Sequence, residues 1–423
     1  MARLPQEICD QVAALSSDDT GGVPDFKRAG LATISRTWQM AFERQTFKRI
    51  RLKSTELESF EQIVTGHRRH FLENLDYSIV LPTYSDGARG LFERGPDRLT
   101  NDEAFTAAIH GLFRILQTWN ERDDGTIQFR IEAVYSPADE SRFCRYQYSY
   151  VRLLRPEELP EISVISAFRT RSMPRALDPR VPIDIAVKLP NLQDTYWHIR
   201  DSERRYPALR RRNRHELAQR VRDVMPKVSV LQSLSIFMQH GLLTNHSWHP
   251  ADLRLNQSAL DPLSSALREA TSSWQAMRRL SITGTIDESL FWPSPALPIV
   301  DPFWQGLKCL DIQFDMTTPI GGWYFRAPTD VEIPPPTGPP SNTKMPPGYD
   351  NSEEEDVMAA RQFSTSDNVD PMMFQDVQQR RLFWDVKDWR PDEDLRALFR
   401  SVGQDRYGPA LVERNILFIV TSN

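Results

Sequence analysis

Apolar residues in the first fifty positions recur at helical spacing in two blocks separated by a polar loop. Ile8, Val12 and Leu15 make the first stripe, behind Pro5, whose missing amide hydrogen costs nothing in the first turn of a helix. A stretch rich in Asp and Gly from Ser16 to Pro24 breaks this helix. A second is expected to begin near Asp25, with Leu31, Ile34, Trp38 and Phe42 at intervals of three or four. Two or three short helices with one large Trp bury little, so a unit of this size is marginal alone. It reads either as a hairpin packed on its own protein or as one completed by a partner surface.

Beyond it the period changes. Leu72, Leu75, Tyr77, Ile79 and Leu81 alternate as a half-buried strand does, and Pro82 closes the run. Thr100 and Glu103 have capping-box spacing ahead of Phe105, Ile109, Leu112 and Leu116 on one helical face. Ile127, Phe129, Ile131, Ala133 and Tyr135 then alternate as a strand. The succession returns: a helix from about Leu209 to Val224 precedes Leu231, Leu234 and Ile236, and one carrying Leu263, Leu267, Trp274 and Met277 precedes Leu280 and Ile282. A shorter segment leads to Leu307, Leu310 and Ile312.

Strands joined through helices need not pair antiparallel, and a parallel sheet with helices outside is the economical solution. Stacked helix-strand units of this kind form a solenoid resembling irregular leucine-rich repeats. The spacing is uneven, 46 residues from Leu234 to Leu280 against 30 from Leu280 to Leu310, so a single irregular α/β domain is the alternative.

From Pro328 to about Asp376 the composition shifts. Pro334-Pro335-Pro336, Pro339-Pro340 and Pro346-Pro347, followed by Asp350 and the run Glu353 to Asp356, predict a disordered insertion. Arg381 to Trp384 and Leu395, Leu398 and Phe399 suggest a strand and a helix that rejoin the body. Asn415 to Val420 reads as a final strand, and pairing with a sheet edge would keep it from aggregating. The expected division is 1–55, a helical module; 56–327, an α/β body; 328–376, the insertion; and 377–423, a segment returning to the body.

Composition narrows the chemistry. With 40% hydrophobic and 26% charged residues the chain can form a substantial core, and a net charge of −5 supplies no global field for nucleic acid. No signal-like start and no membrane-length apolar run appears, so a cytoplasmic or nuclear location is expected, away from membranes. Cys9, Cys144 and Cys309 lack C-x-x-C spacing. His240, His246 and His249 lie close together but without a carboxylate or thiolate completing a metal-site pattern. No nucleophile elbow, phosphate loop or dinucleotide fingerprint occurs, and Gly321-Gly322 is a turn candidate. No catalytic residue, cofactor or metal is therefore expected. The basic run Arg204-Arg205, Arg210-Arg211-Arg212, Arg214, Arg220 and Arg222 reads as a solvated face before it reads as a phosphate-binding one.

The identities in the first block carry a further signal. Leu4-Pro5-x-Glu7-Ile8, then Leu31-Ala32-x-Ile34-Ser35-Arg36-x-Trp38, then Phe42 and Thr46-Phe47, resembles the F-box. The loop between the helices is longer than usual in that family, and Phe47 stands where the family often has Trp. F-box proteins are substrate receptors of cullin-RING ubiquitin ligases that dock on a Skp-type adaptor. By position, the resemblance implies adaptor binding through Leu4, Pro5, Ile8, Val12, Ile34, Ser35 and Trp38. Arg68-Arg69-x-Phe71-Leu72 through Tyr84, Leu189-Pro190-x-Leu192 with Trp197, and Asp201-x-Glu203 are similar to a family of uncharacterised filamentous-fungal proteins with an F-box-like start, over roughly residues 1–330. The implied function is a non-catalytic receptor presenting a protein substrate. The alternative is a scaffold that keeps the hairpin without joining a ligase.

Overall fold

The computed structural model describes residues 5–15, 30, 32–89, 91–119, 126–139, 145–146, 148–201, 206–228, 230–239, 250–254, 260–272, 274–291, 304, 306–315, 317–326, 345–346, 348–349, 390–391 and 416–420. Helices α1 (Gln6–Leu15) and α2 (Arg36–Lys48) come first, and α2 runs directly into strand β1 (Arg49–Lys53). Then follow α3 (Leu57–Ile63), α4 (Arg68–Phe71), β2 (Asn74–Val80), α5 (Gly95–Gln117), β3 (Ile127–Tyr135), β4 (Tyr150–Val151) and β5 (Ile165–Thr170). Next are β6 (Ala176–Leu177), α6 (Val181–Ala186), β7 (Asp194–Arg200), α7 (Pro207–Val224), β8 (Ser233–Gln239) and α8 (Pro262–Ser272). The described elements end with β9 (Arg279–Gly284), β10 (Cys309–Phe314), β11 (Phe325–Arg326), β12 (Arg390–Pro391) and β13 (Ile416–Val420).

Nine strands form one sheet in the order β1, β2, β3, β5, β7, β8, β9, β10, β13, and every neighbouring pair is parallel. The chain is thus α/β, and strand order in space follows strand order in sequence. The spacing that looked irregular in sequence is regular in register. Leu234, Leu280 and Leu310 are successive partners, as are Ile236, Ile282 and Ile312. Unequal connections are absorbed outside the sheet. One extra residue, Glu132, enters β3 where the register with β2 shifts, which makes a bulge.

The sheet has two unlike faces. Leu75, Tyr77 and Ile79, then Phe129 and Ile131, then Leu234 and Ile236, point into a single apolar cluster with Ile109 and Leu112 of α5, Val221 of α7 and Leu267 of α8. Phe129 stacks on Phe168 at 5.5 Å, and the Tyr77 hydroxyl donates to the Ala108 carbonyl at 2.9 Å, so the buried phenol keeps a partner. Alternate residues, among them Ser235, Phe237, Ser281, Thr283, Asp311 and Gln313, are only half-buried. A parallel sheet covered on both faces would show continuous apolar runs; here alternation reports one open face.

Three expectations are corrected. The helix of Phe105 begins at Gly95, with the Asp97 carboxylate accepting from the Arg94 amide at 3.3 Å. Thr100 is therefore interior, its hydroxyl donating to the Pro96 carbonyl at 3.0 Å, and makes no capping box with Glu103. The helix of Trp38 starts at Arg36, after a break at 33–35 that the single expected helix did not have; Gly30 and Ala32 before the break are helical, and the expected start near Asp25 lies outside the described residues. Within 328–376, expected to be a spacer throughout, Tyr349 is 2% exposed and packs with Phe92, Tyr148 and Tyr206. Of that stretch 345–346 and 348–349 are among the described residues; the rest, and 381–384 and 395–399, lie outside them. At the end of the chain β13 pairs with β10, the edge position expected for the last apolar run.

Candidate functional site

The facing sides of α1 and α2 are closed by small residues. Cys9 and Ala13 of α1 meet Ala41 and Phe42 of α2, with Ala32 and Trp38 packed against them. Trp38 stacks on Phe42 at 5.9 Å. The Ser35 hydroxyl accepts from the Trp38 amide at 3.4 Å, so Ser35 is the N-cap of α2. Around the rim, Gln6 donates to the Thr37 carbonyl at 3.2 Å and Arg44 pairs with Asp10.

The first apolar stripe that periodicity picked out is not what closes this pair, whereas Phe42 and Trp38 of the second do help to close it. Ile8 is 42% exposed, Val12 41%, Leu15 76% and Ile34 61%. Small side chains of α1 meet Ala41 and Phe42 of α2, and the large side chains of α1 stay outside. Of the residues the F-box resemblance singles out, Pro5, Ile8, Val12, Ile34 and Ser35 are exposed, Trp38 is half-buried, and Leu4 lies outside the described residues. Cys9, Ala13 and Ala41, which hold the pair together, carried only the weak signal of small residues four apart.

The pair is tied to the body through Glu43. Its carboxylate accepts from Arg68 at 2.7 Å and contacts His67 at 2.8 Å, and the Arg68 hydrogen bond holds its carboxyl down at about 2. Arg68 also covers the Phe47 ring at 5.0 Å, and Arg44 covers Phe71 at 5.5 Å. Since α2 continues into β1, the exposed apolar side chains ride on a platform fixed to the sheet.

No protein-family model matches this chain, and no curated protein matches it either.

The open sheet face is a second candidate surface. Charged residues pair across it, Arg130 with its register partner Asp76 at 3.3 Å, Arg171 with Glu132 at 2.8 Å and Arg169 with Asp194 at 2.9 Å. Beside them Tyr196 is exposed and the rings of His198 and Phe237 lie 5.2 Å apart. Burial, with Arg200 adding to it, pushes the His198 imidazole below its ordinary value, so the ring stays neutral at pH 7.

The arginine run departs most from expectation. Arg210 and Arg214, one turn apart on α7, are 3% and 4% exposed and face inward. Asp201, at the end of β7, accepts from Arg210 at 2.8 and 3.0 Å and from Arg214 at 2.7 Å, while Asp261 takes a second Arg214 bond at 3.1 Å. Farther along, Arg220 pairs with Asp184 and Arg222 with Glu269. Acids distant in sequence thus consume most of the run, and Arg204 and Arg205 lie outside the described residues. The cavity beside Asp201 and Arg214 is about 10 Å³, room for about one water and no larger ligand.

A second buried network surrounds Arg175, which pairs with Glu93 and with Asp139 at 3.2 Å beneath the Tyr146 ring. Burial alone would raise the Asp139 carboxyl, but Arg175 and the Tyr146 hydroxyl hold it below its ordinary value. In both networks the buried charges pair with one another, although the Arg214 Nε has no hydrogen-bond partner among the described residues. Among the described residues no group of three or more His, Cys, Asp or Glu is placed to hold a metal, and no helix is long and apolar enough to cross a membrane. His240, His246, His249 and Cys144 lie outside those residues. Gly321 makes the expected turn, at φ 84° with its amide donating to the Thr318 carbonyl at 3.1 Å.

Proposed function

We propose that the chain is a substrate receptor of a cullin-RING ubiquitin ligase, docking on a Skp-type adaptor through α1 and α2 and presenting a protein substrate on its α/β body. The observation that carries this reading is the outward position of Ile8, Val12, Leu15 and Ile34 on a helix pair already closed by Cys9, Ala13 and Ala41. Large apolar side chains left in water beside a finished core favour a partner surface. The resemblance of the same segment to the F-box selects the partner. The body fits an irregular leucine-rich-repeat-like solenoid, because sequential parallel strands bury one face and leave the other open. That open face is where a substrate would rest.

No residue needs a catalytic role. The receptor supplies proximity, raising the effective concentration of a substrate lysine near the charged carrier enzyme, whose chemistry belongs to other subunits. The experiment is a titration of the full chain and its Ile8→Asp/Val12→Asp variant against a purified Skp-type adaptor. Binding by the first and none by the second is expected. A folded wild-type chain that ignores the adaptor would sink the reading and leave a scaffold that keeps only the hairpin.

A further inference from the structure

A short piece of the proline-rich and acidic stretch is built into the body with a precision its composition does not suggest. The Tyr349 ring lies 3.4 Å from the Arg98 guanidinium, 5.1 Å from that of Arg212 and 5.8 Å from that of Arg152. Its hydroxyl accepts from the Tyr150 amide at 3.2 Å, and Arg98 donates to the Gly348 carbonyl. Gly348 sits at φ 82°, and a Cβ there would stand 2.8 Å from the Arg98 side chain and 3.1 Å from the Glu93 carbonyl. Only glycine fits such an approach.

These contacts share three properties. They come from a short stretch of the chain, Gly348 and Tyr349, with Met345 packed against the same cluster. They use a cationic, aromatic groove formed by α5, β4 and α7, in which Arg98 is buried and its Nε has no hydrogen-bond partner among the described residues. And the sequence that follows is acidic, with Asp350, Glu353, Glu354, Glu355 and Asp356. A glycine-tyrosine pair seated among guanidiniums and followed by acids is the chemistry of linear peptide recognition, in which a few contiguous side chains carry the binding.

We propose that this groove is a recognition site for tyrosine-bearing, acid-flanked peptide segments of partner proteins, and that Gly348-Tyr349 is the occupant supplied by the chain itself. The proposal is independent of adaptor docking, which uses the other end of the molecule's sequence. A tethered occupant competes at an effective concentration in the millimolar range, so partner segments gain access when they are locally concentrated or when the tethered copy is withdrawn.

The test uses a fluorescein-labelled peptide of residues 343–356 and the full-length chain, read by anisotropy. Tyr349→Ala should bind the peptide at least ~10-fold more tightly than wild type, because the tethered competitor is gone. A peptide with alanine in place of its tyrosine should bind neither, and Arg98→Ala added to Tyr349→Ala should abolish binding. Equal affinity for wild type and Tyr349→Ala, or no binding to a Tyr349→Ala chain with an intact melting transition, overturns the proposal. A second measurement needs no variant. Excess unlabelled peptide should speed amide exchange at 348–349 of the wild-type chain, and unchanged exchange at saturating peptide also overturns it.

Discussion

Two regions of the described chain solve the same problem in opposite ways. At α1 and α2 Cys9, Ala13, Ala41 and Phe42 face inward, and Ile8, Val12 and Leu15 of α1, with Ile34 just ahead of α2, face water. In α7 and α8 the apolar residues face inward, and even the charged Arg210 and Arg214 are drawn under the surface by Asp201 and Asp261. The body spends its chemistry on itself; the hairpin leaves its own available. Burial is thus a matter of which residues find internal partners, and hydrophobicity alone does not decide it.

The largest test of this contrast is Asp201→Ala. Leaving two buried guanidiniums without their shared carboxylate should cost about 3–5 kcal/mol in chemical denaturation of the body. Loss of under about 1 kcal/mol would mean the network is better solvated than its burial implies.

Acid should separate the regions next. Burial, first among the causes, pushes the carboxyls of Asp102, Asp184 and Asp287 up to about 6 from 3.8. A raised carboxyl penalises the folded state once it ionises, so this penalty acts above pH 6 and is relieved as pH falls toward 4. Glu43 has the opposite sign. Lowered from 4.5 to about 2, it contributes fully above pH 4.5, and its contribution is lost as pH falls through about 2. Urea melts of the body at pH 7 and 5, beside amide exchange in α2 between pH 5 and 2.5, should show the body's penalty easing before the hairpin loosens. Glu43→Gln should flatten the hairpin's response.

Ser35→Ala should cost the hairpin about 1 kcal/mol, the usual value of an N-cap, seen as faster exchange at the start of α2 and little change in the body. Smallest of all, Ile8→Asp/Val12→Asp should lower stability by less than about 0.5 kcal/mol, because both side chains are exposed and lie outside the buried cluster that closes the pair. A large shift would show that the exposed stripe is part of the core after all.

Much of the body was legible from alternation. Ile127–Tyr135 was placed residue for residue, and the Leu-x-Ile repeats at 280 and 310 became register partners because period two maps directly onto a sheet face. What failed was whatever depended on distant partners. Nothing near Arg210 or Arg214 announces Asp261, so a buried ion pair looked like a solvated face. Thr100 looked like a cap because Pro96 and Asp97, a turn earlier, had already started the helix. At the hairpin, the spacing of Ile8, Val12 and Leu15 located a stripe but not its direction, since periodicity cannot distinguish a side turned to the core from one turned to a partner. Tyr349 was hidden by its neighbours, whose composition outweighed one ring.

The order of the strands has a consequence for synthesis. In the nine-stranded sheet each strand from β2 to β10 lies beside the strand of that sheet that the ribosome delivered just before it, so its template already exists when it emerges and assembly can advance with translation. β13 alone among the sheet strands comes long after its partner β10. Until it arrives, the far edge of the nascent sheet is open, and that interval is when the growing chain is most exposed to pairing with the wrong neighbour.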